Sequence, residues 1–467
     1  MRALPLRYGA WLALLPSLLV LVVWLPVLGA SFQFDDWAAI VADPRLQSLA
    51  SWWHSMPGVR PLLTLSYALN HELGASPGVF RAVNIGLHGF NAALLFLLLR
   101  RVARRWRLTD AAGANFTAAV ASLLFALHPV QTESVTHISG RSTVLMGSWV
   151  LLSLLAYTHR RGGQRPWYGQ LLTLACVAAA LATQESAAVA PLALMLVVCR
   201  EHGQRLRATL AGAAPALLLV LLLLGVHLLW LPYDSLLQRG LELRGLAGDV
   251  AAQIHGIGWL VGQLLRMDLL NADPAMPAGQ LPAAVTVCTG AALAAVLLLG
   301  LAGLRRWPGL AFGILWFYLW LAPSNSLLAG LDVPNDRQLY LAIIGPAWLA
   351  GLALLRLPAW LRAQQPNAAY GLLVVLAVAL AAGTLTRNRV YATPVSFWQD
   401  VVEKSPDNVG ALNNLGRAHA LACEPLAARS AFERALWLAP QDPRAALNLA
   451  LLLQGKLAGQ PAAPACR

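Results

Sequence analysis

Charged residues are scarce in this chain. They make up only 12% of its 467 residues, where a soluble globular domain carries roughly a quarter, and that deficit excludes an ordinary water-soluble fold. Cysteine is also sparse. The five cysteines, Cys176, Cys199, Cys288, Cys423 and Cys466, are scattered with no close pair, so neither a disulfide framework nor a thiolate metal cluster is indicated. There is no glycine-rich nucleotide cradle, no Ser-His-Asp signature and no spaced Cys/His cluster. An enzyme that takes a nucleotide sugar or ATP from the cytoplasm is therefore poorly supported. Acidic residues are fewer than basic ones, 21 against 34, for a net charge of +13. The basic excess lies in short clusters between apolar runs, where Lys and Arg set membrane topology, so it does not point to nucleic acid.

What the chain has in abundance is long apolar runs. Hydrophobic residues are 58% of it and mean hydropathy is +0.60, so a bilayer must serve as solvent for much of the chain. Runs near 9–29, 82–99, 114–128, 143–158, 168–183, 186–199, 209–231, 283–304, 309–330, 339–355 and 368–386 predict about eleven spans at 1.5 Å rise per residue. The fold class expected is all-α: a polytopic membrane helical bundle over 1–390 with a short helical-repeat tail over 391–467. The first run, although Arg2 and Arg7 precede it, is longer than a signal-peptide core and reads as an uncleaved span.

Basic clusters orient the bundle. Arg100, Arg101, Arg104, Arg105 and Arg107, then Arg160, Arg161 and Arg165, Arg200, Arg205 and Arg207, Arg305 and Arg306, and Arg356 and Arg362 all fall on the side of the N-terminus. The positive-inside rule makes that side cytoplasmic. Residues 251–270 carry Gln253, His255, Gln263, Arg266 and Asp268 and read as an interfacial or re-entrant segment. The localisation expected is a multi-pass protein of the cell inner membrane, with a cytoplasmic N-terminus and a periplasmic tail. The outer side is then built from residues 30–81, 128–142, 232–282 and 323–338.

The tail shows a period. Pro406 and Pro440, Asn414 and Asn448, and Leu415 and Leu449 are each thirty-four residues apart, the tetratricopeptide spacing. Leu412, Gly416, Ala428, Phe432 and Ala435 occupy its packing positions. Residues 461–467 are expected to fray.

Polar residues with chemical potential collect on the outer side. In Phe34-Asp35-Asp36-Trp37 two adjacent carboxylates could supply a general base or hold a divalent metal, but spacing alone favours an N-cap for a helix over Trp37–Val41. Asn84, His88 and Asn91 share one helix face, as a hydrogen-bonding seam or a functional one. His128-Pro129-Val130-Gln131-Thr132-Glu133 precedes His137 and Gly140-Arg141-Ser142, and a Glu133–Arg141 ion pair is the plain structural reading. Glu185 turns a polar hairpin between two spans. Asp336-Arg337-Gln338-Leu339-Tyr340 offers an arginine able to grip a phosphate, or simple pairing of Arg337 with Asp336.

Taken in order, these motifs resemble a family. Phe34-Asp35-Asp36, Arg60-Pro61-Leu62-Leu63-Thr64, Val83-Asn84 to Leu87-His88, the run from Leu127 to Glu133, Ile138 to Ser142, Glu185-Ser186 and Asp336-Arg337 to Tyr340 precede a tetratricopeptide tail. This is similar to the transmembrane and tetratricopeptide-repeat O-mannosyltransferases and their bacterial relatives, within the GT-C membrane glycosyltransferases. The resemblance implies sugar transfer, with mannose the family's namesake, from a polyprenyl-phosphate carrier to a protein or glycan acceptor at the outer face. It implies Asp35 and Asp36 as the catalytic pair, with Arg141, Arg337, Arg60 and His128 toward the donor phosphate and lipid. Glu133, Glu185, His88, Asp336 and Tyr340 are expected in support. No metal is assigned, Asp35 and Asp36 being the residues able to hold one. The tail offers a surface for a protein partner. Two other function classes stand beside this one, a non-catalytic membrane-anchored scaffold and a transporter of lipid-linked glycans.

Overall fold

The structure is a computed structural model that describes residues 11–33, 35–56, 58–159, 166–199, 206–230, 233–275, 282–325, 334–357 and 368–456. Phe34, the basic clusters at 160–165 and at Arg200 and Arg205, Arg362, and the expected frayed end at 461–467 lie outside the described residues.

Every regular element among the described residues is helical. In chain order they are α1 (Leu14–Trp24), α2 (Leu49–Ser55), α3 (Pro61–Leu73), α4 (Pro77–Arg105), α5 (Ala111–Leu127), α6 (Thr132–Val135), α7 (Arg141–His159), α8 (Pro166–Leu181), α9 (Ala190–Val198) and α10 (Leu206–Trp230). There follow α11 (Tyr233–Gln263), α12 (Ala283–Arg306), α13 (Pro308–Leu321), α14 (Leu339–Ala342), α15 (Ile344–Leu355) and α16 (Ala368–Val390). The tail holds α17 (Pro394–Lys404), α18 (Val409–Leu421), α19 (Pro425–Leu438) and α20 (Pro443–Leu453). Proline opens many of them, where its missing N–H is no loss.

Among the described residues, five helices are long and apolar enough to cross a membrane: Pro77–Arg105, Ile138–His159, Arg207–Val226, Ala283–Arg306 and Ala368–Val390. The number rises to seven if Ala111–Leu127 with Pro129–Val135, bent by 52°, and Asp336–Ala342 with Ile344–Leu355, bent by 50°, each count as one span. Shorter apolar helices stand at Leu14–Gly29, Trp167–Leu181, Glu185–Val198 and Pro308–Leu321. The first bend falls at His128, where polar sequence interrupts an apolar run, and the second at Ile343, one turn after the polar stretch Asp336 to Gln338. Backbone that leaves the helix at such depth needs partners from protein, and the bends supply the site described below.

The centre of the bundle is α4 and α5, flanked by α1, α7 and α15. Close approach is built on glycine at the crossing of α13 and α15: a Cβ on Gly345 would collide with the Gly313 carbonyl. The first outer segment is not a loop, since it folds into α2, α3 and the opening turns of α4. The second, expected as a loop with a re-entrant piece, is mostly the 31-residue α11. In the tail, each of α17 to α20 packs on the next, with Leu412, Ala428, Phe432 and Ala435 buried. Cys176, Cys199 and Cys288 are free.

Candidate functional site

The two bends, the first outer segment and the join between α16 and α17 meet at one end of the bundle. The anchor is Arg81 in the second turn of α4. Fully buried, it donates from Nε to the Thr136 carbonyl at 2.9 Å and from its two terminal nitrogens to the carbonyls of Ala30 and Ser31. It thereby fixes the chain just before the acidic pair against the segment following α6. Gln33 Nε2 donates to the Tyr391 carbonyl at 3.0 Å, which ties the same stretch to the start of the tail.

The two carboxylates then part company. Asp36 is fully buried. Its Oδ2 accepts from the Gln33 N–H at 3.0 Å and its Oδ1 from the Ser139 N–H at 2.9 Å. It makes no capping bond to the Trp37–Val41 turn, so the N-cap reading fails and Asp36 instead clamps the first outer segment to the Ile138–Gly140 turn. That turn needs Gly140, because a Cβ there would lie 2.5 Å from the Ser134 carbonyl. Burial is the larger influence on Asp36 and outweighs its two N–H donors and the charges of Arg81 and Arg337, pushing its pKa up to about 6. Asp35 is exposed. Its pKa is also raised, by partial burial first, against the pull of Arg337 and with a push from Asp273.

Arg337 is the hub between the bends. Its Nε donates to Glu133 Oε1 at 3.0 Å and its Nη2 to His137 Nδ1 at 2.6 Å, while Glu133 Oε2 accepts the Asp336 N–H at 3.1 Å. Because guanidinium only donates, His137 Nδ1 must be the unprotonated nitrogen, which leaves Nε2–H facing Asp36 Oδ1 at 3.4 Å. Burial, then Arg337 and Arg81, hold the His137 pKa well below its usual range, so the His137–Asp36 contact joins a neutral imidazole to a carboxyl and is no ion pair. Glu133 thus pairs with Arg337 and not with Arg141, and Asp336 does not pair with Arg337.

Arg141 lies outside the walls of the two cavities described below. Its Nε donates to Asn84 Oδ1 at 2.8 Å, Nη1 to the Ser66 carbonyl at 3.1 Å, and Nη2 to Asn70 Oδ1 at 2.7 Å and the Phe80 carbonyl at 2.8 Å. Its guanidinium also lies 4.9 Å from the Tyr67 ring centroid. All three nitrogens are engaged with protein, so Arg141 joins α3, α4 and α7 and has no face turned to a phosphate. His88 and Tyr340 are likewise internal. The Tyr340 hydroxyl accepts a hydrogen bond from Asn91 Nδ2 at 2.9 Å and donates one to His88 Nδ1 at 3.0 Å, while His88 Nε2 donates to the Ala126 carbonyl at 3.2 Å. This is the structural seam among the two readings of that face.

Two cavities flank the hub. A polar one of about 160 Å³ is lined by Arg60, Ser142, Gln184, Asn335, Arg337 and Leu341 among others. Arg60 forks onto Glu185, with Nε to Oε1 at 3.0 Å and Nη2 to Oε2 at 2.7 Å. An apolar cavity of about 790 Å³ lies between α11, α12, α13, α15 and α16, with His128, Val261, Met267, Phe317 and Ile343 in its wall. His128 Nδ1 accepts the Val130 N–H, and Nε2 donates to the Leu264 carbonyl at 3.2 Å, so His128 is a neutral wall residue. One short stretch, from Arg337 through Leu341 to Ile343, runs from the first cavity to the second.

Sequence reasoning overlooked a second ion cluster behind the hub. Arg387 near the end of α16 donates to Asp400 Oδ2 at 2.5 Å, and Lys404 to Asp400 Oδ1 at 2.6 Å and to the Leu270 carbonyl at 2.7 Å. The signal was present: Arg387 and Arg389 close a long apolar run, and arginines at such a boundary need a partner. Among the described residues, no group of three His, Cys, Asp or Glu side chains converges as a metal site, and Asp36 already has both oxygens occupied by N–H donors.

Known proteins resemble parts of this chain. Protein O-mannosyl-transferase tmtc2 of Xenopus laevis is 35% identical over 160 residues, 31% of this chain and 18% of that protein. Tmtc2 of Drosophila melanogaster is 33% identical over 203 residues, 39% of this chain and 20% of the relative. TMTC4 of Mus musculus is 34% identical over 171 residues, covering 32% and 23%. All three are named protein O-mannosyl-transferases. The matched stretch spans about a fifth of the length of these curated relatives. No family model matches the chain, and no solved structure matches it.

Proposed function

We propose that the chain is a membrane glycosyltransferase that moves a sugar, mannose by analogy with its relatives, from a polyprenyl-phosphate carrier to a protein or glycan hydroxyl on the outer face of the cell inner membrane. The observation that carries the reading is the division within the acidic pair: Asp36 is locked in the fold, while Asp35 stands exposed within the field of Arg337. Asp35 takes the acceptor's hydroxyl proton, and the oxygen attacks the anomeric carbon. The bond from that carbon to the phosphate oxygen breaks, and its electron pair leaves on polyprenyl phosphate, with inversion at carbon. Arg337 and Arg60, on the wall of the polar cavity, stabilise the leaving phosphate through charge-assisted hydrogen bonds. The isoprenoid chain takes the apolar cavity next to it, which suits a donor that arrives sideways through the bilayer. Asp36, His137, Glu133 and Asp336 position these groups.

The fold assigned with this reading has eleven spans over residues 1–390, counting the four shorter apolar helices, with the N-terminus cytoplasmic. The tail over 391–467 is a tetratricopeptide unit on the outer side. Purified protein given a polyprenyl-phosphate sugar should release polyprenyl phosphate in step with acceptor glycosylation. Absence of release with every donor and acceptor class would overturn the proposal.

A further inference from the structure

At the opposite end of α4 lies a cleft that this chemistry does not use. Its volume is about 720 Å³, and it is lined by Arg100, Arg101, Arg104, Arg105 and His159 together with Leu97, Leu152, Leu155, Ala156 and Leu172. At 1.5 Å per residue, Arg81 and Arg101 are separated by roughly 30 Å along α4, the thickness of a hydrocarbon core. The four arginines occupy two successive turns, so they share one side of the helix and repel one another.

Two of them have a structural task. Arg101 Nη1 donates to the Leu155 carbonyl at 3.1 Å and to Thr158 Oγ1 at 2.9 Å, and Arg105 Nη2 donates to the Thr158 carbonyl at 2.6 Å. They cap the C-terminus of α7, whose dipole favours a cation. Arg100 and Arg104 have no such duty. Among the described residues neither pairs with a carboxylate, Arg104 is exposed, and Arg100 Nε is buried with no hydrogen-bond partner. A buried guanidinium N–H without an acceptor is costly, and an anion seated in the cleft would supply one.

An independent feature sets the level of this cleft. Trp167 and Tyr168, in the first turn of α8, stack edge-to-face with centroids 5.8 Å apart and are exposed, as are Leu171 and Leu172 on the next turn. Exposed Trp and Tyr above exposed leucine mark the boundary between headgroups and hydrocarbon. Helix α8 packs along α7, and Leu172 and His159 line the same cleft. The basic half therefore lies at headgroup depth and the leucine half at acyl-chain depth.

We infer that this cleft is a binding site for an anionic phospholipid, its phosphate held by Arg100 and Arg104 and an acyl chain lying along Leu97, Leu152, Leu155 and Leu172. The inference rests on the membrane embedding alone and holds whether or not the sugar-transfer reading does. A basic pocket between spanning helices is the kind of surface that selects acidic headgroups, and the leucine wall distinguishes a lipid from a free phosphate ion.

The test uses the full chain in neutral detergent, titrated with phosphatidylglycerol, phosphatidylcholine or inorganic phosphate, with bound lipid counted by native mass spectrometry. Phosphatidylglycerol should bind and raise the unfolding midpoint, and the other two should do neither. The double variant Arg100→Gln/Arg104→Gln should bind it about twenty-five-fold more weakly, about fivefold per lost charge, and Arg100→Lys/Arg104→Lys should keep most of the affinity. Should the double variant not fold, Arg104→Gln alone, at an exposed position, should show the fivefold loss. Equal binding of phosphatidylcholine, competition by millimolar inorganic phosphate, or undiminished binding by the Gln variants would each overturn the assignment.

Discussion

Helix α4 carries one arginine near its start and four at its end, and the two ends use the same side chain in opposite ways. Arg81 is fully buried, and its partners come from two remote segments, at 30–31 and at 136. The four arginines at the far end are neighbours in sequence and line an open cleft, and two of them donate to the end of the adjacent α7. The first arrangement fixes backbone so that other residues can act. The second leaves charge available to whatever lies outside the protein. A guanidinium's role here follows from how many of its five N–H groups the fold has already engaged, and Arg141 and Arg337 show the same contrast within the site itself.

The largest effect should come from the buried end. Arg81→Leu leaves three carbonyls without donors, and it should cost about 3 kcal/mol or more, read as loss of a monodisperse peak or a large drop in the unfolding midpoint. Arg104→Leu at the other end should stay within about 0.5 kcal/mol. Comparable losses at both ends would erase the distinction. Next comes Arg141→Lys, which keeps the charge but not the fork onto Asn84, Asn70 and Phe80. It should cost about 2 kcal/mol while donor KM in the surviving enzyme stays within about twofold. A selective rise in donor KM would return Arg141 to the phosphate.

The smallest effect is a response to pH. The folded pKa of Asp36 lies near 6, above its ordinary 3.8, so the folded state binds that proton more tightly than the unfolded chain does. Its contribution to stability falls as pH rises from about 4 to about 6 and is flat above. Acidification from pH 7 to pH 5 should therefore stabilise the protein by about 1 kcal/mol through Asp36, with Asp35 and Asp273, also raised, acting in the same direction. If Asp35 is the base proposed above, its raised pKa means that sugar transfer should fall on acidification, starting at a higher pH than an ordinary carboxylate would set. Asp36→Asn should remove most of the stability increment in thermal scans, and parallel loss of stability and activity on acidification would contradict this account.

The all-helical class and the candidate spans were legible because apolar runs are a local signal. The site was legible as a set of motifs but not as a set of pairs. Glu133 has Arg141 eight residues away, yet pairs with Arg337 two hundred positions on, because the two bends bring those turns face to face while Arg141 points back into α7's own neighbours. The adjacent carboxylates Asp35 and Asp36 could not be told apart by spacing. One is held by Ser139, more than a hundred residues distant, and only the folded chain shows that the other is exposed. The Arg387–Asp400–Lys404 cluster escaped notice because it crosses the boundary drawn at residue 390 on composition. Deleting the tail from Pro394 therefore removes the partner of a buried arginine.

The central claim is that Asp35 acts on the acceptor while Asp36 holds the fold, and single-turnover transfer from a saturating polyprenyl-phosphate sugar tests it most directly. Asp35→Asn should insert and bind donor normally, with transfer at least about a hundredfold slower. Asp36→Asn sets an amide N–H₂ against the N–H of Gln33 or Ser139, so its loss should appear first in the unfolding midpoint. Near-normal transfer by Asp35→Asn would contradict the assignment and, with it, the division between the two carboxylates on which the proposed function stands.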